Sequence, residues 1–196
     1  PENIPTKEDE RAIIPNVMNP RYSYAGGKLI SELMAINYLR DIATILQVFR
    51  PHNIFGPNMG FEHVIPEIVH KLYQASSQWN KTACKLEIQG EGTQTRSFCY
   101  IEDAIDQIIL IQKSSADCQL YNIGQNNERT ILDLIHDIAE FLNLEVEINS
   151  GTLPKGGTKR RCPDINKIKH LGYKVNDNYK YGLKKTVDWY KNYFTK

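Results

Sequence analysis

The chain has no apolar run near the eighteen residues that a membrane-crossing helix needs, and no charged-then-apolar leader pattern at its start. Neither a membrane span nor secretion is therefore expected. Its four cysteines, Cys84, Cys99, Cys118 and Cys162, make no C-x-x-C spacing and no paired pattern. That argues against a disulfide framework or a zinc cluster, and the cysteines read as reduced thiols of a cytoplasmic protein. Of the five histidines, His52, His63, His70, His136 and His170, no two stand at i, i+4, so no metal is implied. A net charge of +1, from 24 Lys and Arg against 23 Asp and Glu, lacks the dense basic face of a nucleic-acid binder. The one basic cluster, "KGGTKRRC" at 155–162, is better suited to a local anion. Also missing is G-x-G-x-x-G, the glycine-rich turn that sets a dinucleotide pyrophosphate at a helix N-terminus. "GEGTQT" at 90–95 holds a lone G-x-G between two predicted strands and reads as a hairpin turn. No internal repeat and no low-complexity tract are visible.

What is present is α/β patterning in a chain of 196 residues, 41% of them hydrophobic, enough for one sizeable domain or two small ones. The first twenty residues carry four prolines and a charge run and read as a loop. A helix is expected from Tyr24 to Leu39, with Leu29, Ile30, Leu33 and Ile36 as its apolar stripe, followed by "ATILQVF" (43–49) as a buried parallel strand. "IPEIVHKLYQ" predicts a helix with Pro66 in its first turn. "KLEIQ" and "RSFCYI" predict strands, and Asp103 a cap for a helix with Ile105, Ile108 and Ile109 facing inward. "QLYNIG" predicts another strand. Thr130 and Asp133 open a helix with Ile131, Leu134, Ile135, Ile138 and Leu142 at helical period, "EVEI" alternates like a half-exposed strand, and Leu183, Val187, Tyr190 and Phe194 mark a final amphipathic helix.

"RYSYAGGK" (21–28) puts Tyr24 and Lys28 on one helical face, a cation beside a phenol. A free tyrosine titrates near pH 10, so about one in a thousand is phenolate at neutral pH. An ammonium about 4 Å away supplies at most roughly 4 kcal/mol at an effective dielectric of 20, or about three pKa units, which is the scale a catalytic base needs. A surface pair without chemistry has the same spacing.

Four ordered stretches decide how that pair is read. "YSYAGGKLISE" resembles the Tyr-x-x-x-Lys segment of extended short-chain dehydrogenases, "RPHNIFGP" their R-x-x-N-x-[YF]-G-P turn, "TRSFCYIEDA" their T-R-x-F-x-Y-[IV]-x-D strand and helix start, and "RRCPDINKIKHLGY" their R-x-P-D segment. The chain is thus similar to the sugar-nucleotide epimerases, dehydratases and decarboxylases that use tightly held NAD. The resemblance implies an α/β fold: the C-terminal part of an NAD(P)-binding Rossmann-type fold plus the smaller mixed α/β substrate-binding domain. Residues 1–56 would close the Rossmann-type domain with the Tyr-x-x-x-Lys helix and the following strand. Residues 57–196 would be mainly substrate-binding, with about 104–124 returning to the Rossmann-type sheet.

In such enzymes Tyr24 takes the proton of a sugar hydroxyl while hydride leaves the same carbon, and Lys28 lowers the tyrosine pKa and holds the nicotinamide ribose. Tyr24, Lys28, Pro51 and His52 are the implied NAD contacts, NADP not being excluded; His52 also reads as a neutral loop histidine. The implied partner is a nucleoside-diphosphate sugar, gripped by Arg96, Arg161 and Asn53, because a diphosphate favours planar donors that bond in pairs. Arg96 could instead be a strand-edge ion pair and Arg161 a solvated or capping residue, with Arg160 competing for its role. The resemblance covers only the later part of such an enzyme, so a homodimer or a missing N-terminal part is expected to complete it, and activity of the chain alone is not. The alternative is a non-catalytic module that binds a sugar nucleotide or a partner chain without redox chemistry.

Overall fold

The structure is a computed structural model that describes residues 2–114, 118–152 and 158–195. After an extended leader come helix α1 (Arg21–Leu39), strands β1 (Gln47–Pro51) and β2 (Ile54–Phe55), and helix α2 (Val64–Ala75). Strands β3 (Ala83–Ile88), β4 (Thr95–Ser97) and β5 (Cys99–Tyr100) lead into helix α3 (Ile101–Lys113). Next are β6 (Gln119–Ile123), β7 (Glu128–Thr130), α4 (Ile131–Leu142) and β8 (Glu145–Ser150), then β9 (Arg160–Arg161) and helices α5 (Asn166–His170) and α6 (Tyr179–Phe194).

Three short sheets are parallel pairs: β1 with β6 (Gln47 opposite Gln119 through Pro51 opposite Ile123), β2 with β5, and β3 with β8. In the fourth, β4 lies between antiparallel β7 and parallel β9. Two apolar clusters result. The larger packs α2, α4 and α6 on β2, β3 and β5 through Phe55, Ile65, Leu72, Leu86, Tyr100, Ile135 and Tyr190. The smaller gathers Cys99, Ala104, Ile111, Tyr121, Ile123 and Ile168 where α3 and α5 meet the β1–β6 pair.

Several sequence expectations are met. Thr130 and Asp133 form a reciprocal capping box on α4: the Thr130 hydroxyl accepts from the Asp133 amide, and the Asp133 carboxylate accepts from the Thr130 amide. Leu134, Ile135, Ile138 and Leu142 are buried on α4, and Leu183, Val187 and Tyr190 on α6.

Four others are corrected. The turn at 90–95 is not a hairpin, because β3 pairs with β8 and β4 with β7 and β9, never with each other. Asp103 does not cap α3: Tyr100 holds the cap position, and Asp103 lies a turn inside, 2% exposed, accepting from Asn178 Nδ2 at 2.5 Å. Its buried neighbours are Ala104, Gln107 and Ile111, while Ile105 and Ile109 are 46% and 42% exposed. The buried polar groups of this stripe have partners; Gln107, for instance, exchanges two 2.9 Å bonds with the Gly124 backbone. The first strand starts at Gln47 rather than Ala43, since the turn leaving α1 still binds the Ala43 amide to the Leu39 carbonyl at 2.8 Å. On α1 the expected stripe is split: Leu29 and Ile36 are half-buried, but Ile30 and Leu33 are exposed.

Candidate functional site

The largest concave feature around the predicted residues is a cavity of about 330 Å³ lined by Asn53, Arg96 and Arg161 together with residues of α2, β3 and α4. Local structure explains why these three converge. Arg96 and Arg161 are partners in the β4–β9 register, so their side chains leave adjacent strands at one level. The Arg96 guanidinium is fixed by donating to the Thr95 carbonyl (2.6 Å) and the Thr158 carbonyl (2.8 Å), and Arg161 Nη2 donates to Thr158 Oγ1 at 3.2 Å. Asn53 turns the chain between β1 and β2 at φ +44°, a left-handed conformation that Asn tolerates, and its Nδ2 donates to the Ser97 carbonyl at 3.1 Å. The remainder of the lining mixes apolar floor (Leu86, Phe98, Ile135) with polar rim (Glu67, Lys71, Gln89, Gln94).

Arg160 is not part of this cavity. It forks onto the Glu128 carboxylate through three contacts of 2.5 to 3.0 Å, and Glu128 also accepts from Thr95 Oγ1 at 2.7 Å. The Arg160 guanidinium beside Glu128 holds its carboxyl down at about 2, assisted by the Thr95 hydroxyl. Of the two adjacent arginines, one ties β7 to β9 and the other lines the cavity. Within the basic cluster, Lys155, Gly156 and Gly157 lie outside the described residues.

Tyr24 and Lys28 stand elsewhere, on α1, and line no part of the cavity. They share a helix face, with Lys28 Nζ 5.5 Å from the Tyr24 ring centroid, and Tyr24 is 74% exposed. Among the described residues of α1 none is fully buried. What docks the helix is Arg50 on β1, which grips Glu32 with both sides of its fork (2.8 and 2.7 Å) and donates through Nη1 to the Glu8 carbonyl at 3.0 Å.

Pro51 and His52 lie at the C-terminal end of β1, the side where open α/β sheets accept ligands. His52 Nε2 is 2.9 Å from Asn122 Oδ1 at the matching end of β6. Burial pushes the His52 imidazole below its ordinary value, with the Arg50 and Arg161 charges adding to this; the Asn122 bond and Glu8 act in the opposite sense. Glu8, Glu32 and Glu128 were not singled out from sequence, and Asn122 in "LYNIG" reads there as a structural residue. Only Glu32, four residues beyond Lys28 on a helix, carried a spacing signal.

Comparison with known proteins identifies the family and the fold. The model of the NAD dependent epimerase/dehydratase family matches residues 1–124. The trifunctional UDP-glucose 4,6-dehydratase/UDP-4-keto-6-deoxy-D-glucose 3,5-epimerase/UDP-4-keto-L-rhamnose-reductase of Arabidopsis thaliana is 28% identical over 93% of this chain and 27% of its own length. The dTDP-D-glucose 4,6-dehydratase of Bos taurus is 29% identical over 89% of this chain and 49% of its own. The chain thus spans about half the length of one relative and about a quarter of the other. Among solved structures, UDP-N-acetylglucosamine 4-epimerase from Methanobrevibacter ruminantium M1, in complex with UDP-N-acetylmuramic acid, superposes with a TM-score of 0.80 at 22% identity, over 97% of this chain and 58% of that one. That likeness is one of fold, and the fold is the Rossmann-type one of such epimerases.

Proposed function

The chain belongs to the NAD dependent epimerase/dehydratase family, and from that premise we propose that it forms the proton-transfer and substrate-gripping part of an enzyme that transiently oxidises a hydroxyl of a nucleoside-diphosphate sugar. The observation that carries the reading is the convergence of Arg96, Arg161 and Asn53 on one cavity. Two guanidiniums from paired strands match the charge of a diphosphate, and the cavity is large enough to continue along a nucleoside or a sugar. Residues 1–56, with about 104–124, are taken as the end of the dinucleotide-binding domain, and the rest of 57–196 as the substrate-binding part.

The residues present fit the nicotinamide end of NAD: Lys28 to hold the ribose hydroxyls, and Pro51 and His52 at the end of β1. NAD, when bound, supplies the hydride acceptor. Tyr24 acts through its phenolate, which takes the proton of the sugar hydroxyl and becomes the neutral phenol, and the Lys28 ammonium stabilises that phenolate before the transfer. Arg96 and Arg161 hold the diphosphate and so fix the sugar carbon against that oxygen. The exposed Ile30, Leu33 and Met34 of α1 support the companion reading that this helix packs against a second copy or another segment.

The test is Tyr24→Phe in the NAD-bearing enzyme, followed by stopped-flow reduction of bound NAD on mixing with UDP-glucose. Because proton transfer belongs to the transition state and the diphosphate is held elsewhere, the rate is expected to fall by about 10² to 10⁴ while UDP-glucose affinity stays within about threefold. Reduction at the parental rate would remove Tyr24 from the chemistry; no reduction of NAD by the parent itself, with UDP-glucose bound, would leave the binding-only reading in its place.

A further inference from the structure

Asn122, 1% exposed in the middle of the fold, is bonded on every polar atom of its side chain. Its Nδ2 donates to two carbonyls, Thr6 at 3.0 Å and Asp164 at 3.1 Å. Carbonyls accept only, so the amide cannot be turned over: Nδ2 must face them and Oδ1 must face the other way. Oδ1 is the atom 2.9 Å from His52 Nε2. Since an amide oxygen has no proton to give, the imidazole has to donate, and Nε2 has to carry the hydrogen.

The ring has little room to do otherwise. The His52 amide donates to the Ile123 carbonyl at 2.8 Å, and a Cβ on Gly124 would come within 3.2 Å of the His52 Cβ and of Pro163. The charges around it are Arg50 on its own strand, Glu8 on the leader and Arg161 on β9. Among the described residues no hydrogen bond to Nδ1 is found; His52 is not itself a lining residue of the cavity but directly precedes Asn53, which is.

We propose that Asn122 is a positioning residue that locks His52 as its neutral Nε2–H tautomer, so that Nδ1 stands as a fixed hydrogen-bond acceptor for a hydroxyl of the bound sugar. Burial, with the Arg50 and Arg161 charges, disfavours the imidazolium and so favours the neutral ring. The ligand named rests on the sugar-nucleotide reading above; the tautomer does not.

Long-range ¹H–¹⁵N correlation on the uniformly labelled chain at pH 7 reads the tautomer without any ligand, with His52→Gln assigning the signal among five histidines. A pyrrole-type Nε2 and a pyridine-type Nδ1 are expected. An Nδ1–H tautomer or an imidazolium overturns the proposal. Asn122→Leu should leave the ring in a mixed tautomer; if that variant fails to fold, the wild-type spectrum still decides. His52→Gln retains a donor toward Asn122 but lacks the Nδ1 acceptor. It is expected to bind UDP-glucose about two- to twelvefold more weakly, with UDP unchanged, the span of one neutral hydrogen bond. Equal losses on both ligands would remove the sugar hydroxyl as the donor. Failure of the wild-type chain to bind either ligand would count against the proposed function and leave the tautomer result standing.

Discussion

Arg160 and Arg161 show how far a residue's role departs from its sequence position. Both stand in one basic cluster, and an R-x-P-D resemblance points to the second, yet nothing in composition says which is committed to another side chain. The choice is made by Glu128, 32 residues before Arg160, whose carboxylate captures the Arg160 fork once β7 and β9 flank β4. That partner is legible only after strand order is known. It also gives an acid sensitivity with a definite sign. Glu128 is held from its ordinary 4.5 down to about 2 in the folded chain, chiefly by Arg160. A carboxyl depressed by folding contributes stability in full above its unfolded value and loses it as pH falls toward its folded one. Urea denaturation of the chain at pH 6, 4 and 3 should therefore show stability falling below about pH 4.5. Glu128→Gln should be less stable at pH 6, by roughly 1 kcal/mol for a partly exposed pair, with a flatter decline below it. A variant that declines as steeply as the parent would place the acid sensitivity elsewhere.

Among elements, those with a strong apolar period were legible, α4 with a capping box besides and α6 by its period alone. α3 was misread because its inward face carries Asp103 and Gln107, whose partners, Asn178 and the Gly124 backbone, are distant in sequence. α1 was legible as a helix but not in its packing, since Ile30 and Leu33 of its apolar stripe face outward and an ion pair fastens it to β1. The Glu32–Arg50 fork joins two half-buried side chains, and with few other contacts it sets how the Tyr24–Lys28 face is presented relative to the end of β1. Glu32→Gln keeps shape and removes the charge. Hydrogen exchange should speed up about tenfold across 21–39, as expected for losing on the order of 1.4 kcal/mol of charge-assisted bonding, while α2, α4 and α6 stay unchanged. Unchanged protection in α1 would mean that something other than this bridge docks it.

At the scale of the whole molecule, the β1–β6 pair and its small apolar cluster carry the strand-end residues, while the larger cluster carries the cavity. Four ordered motifs made the class of fold and the identities of Asn53, Arg96 and Arg161 readable. Their meeting in one cavity depends on β4 pairing with β9 across 62 residues of intervening chain, including the Arg96 to Thr158 carbonyl bond, which no local pattern encodes. The same assembly leaves Tyr24 and Lys28 apart from that cavity, so the proposed grip on the diphosphate and the proposed proton transfer can be tested separately. On the proposed function, the cavity holds a nucleoside diphosphate through Arg96 and Arg161. Calorimetric titration of the 196-residue chain with UDP-glucose, UDP and uridine tests it most directly, repeated with Arg96→Ala and Arg161→Ala. The account predicts that UDP and UDP-glucose bind, that uridine binds far more weakly, and that each substitution costs the diphosphates roughly 1.5 to 3 kcal/mol while barely affecting the nucleoside. Equal affinity for UDP and uridine, or equal losses on both in the variants, would contradict it and reduce the arginines to supports of the β-sheet.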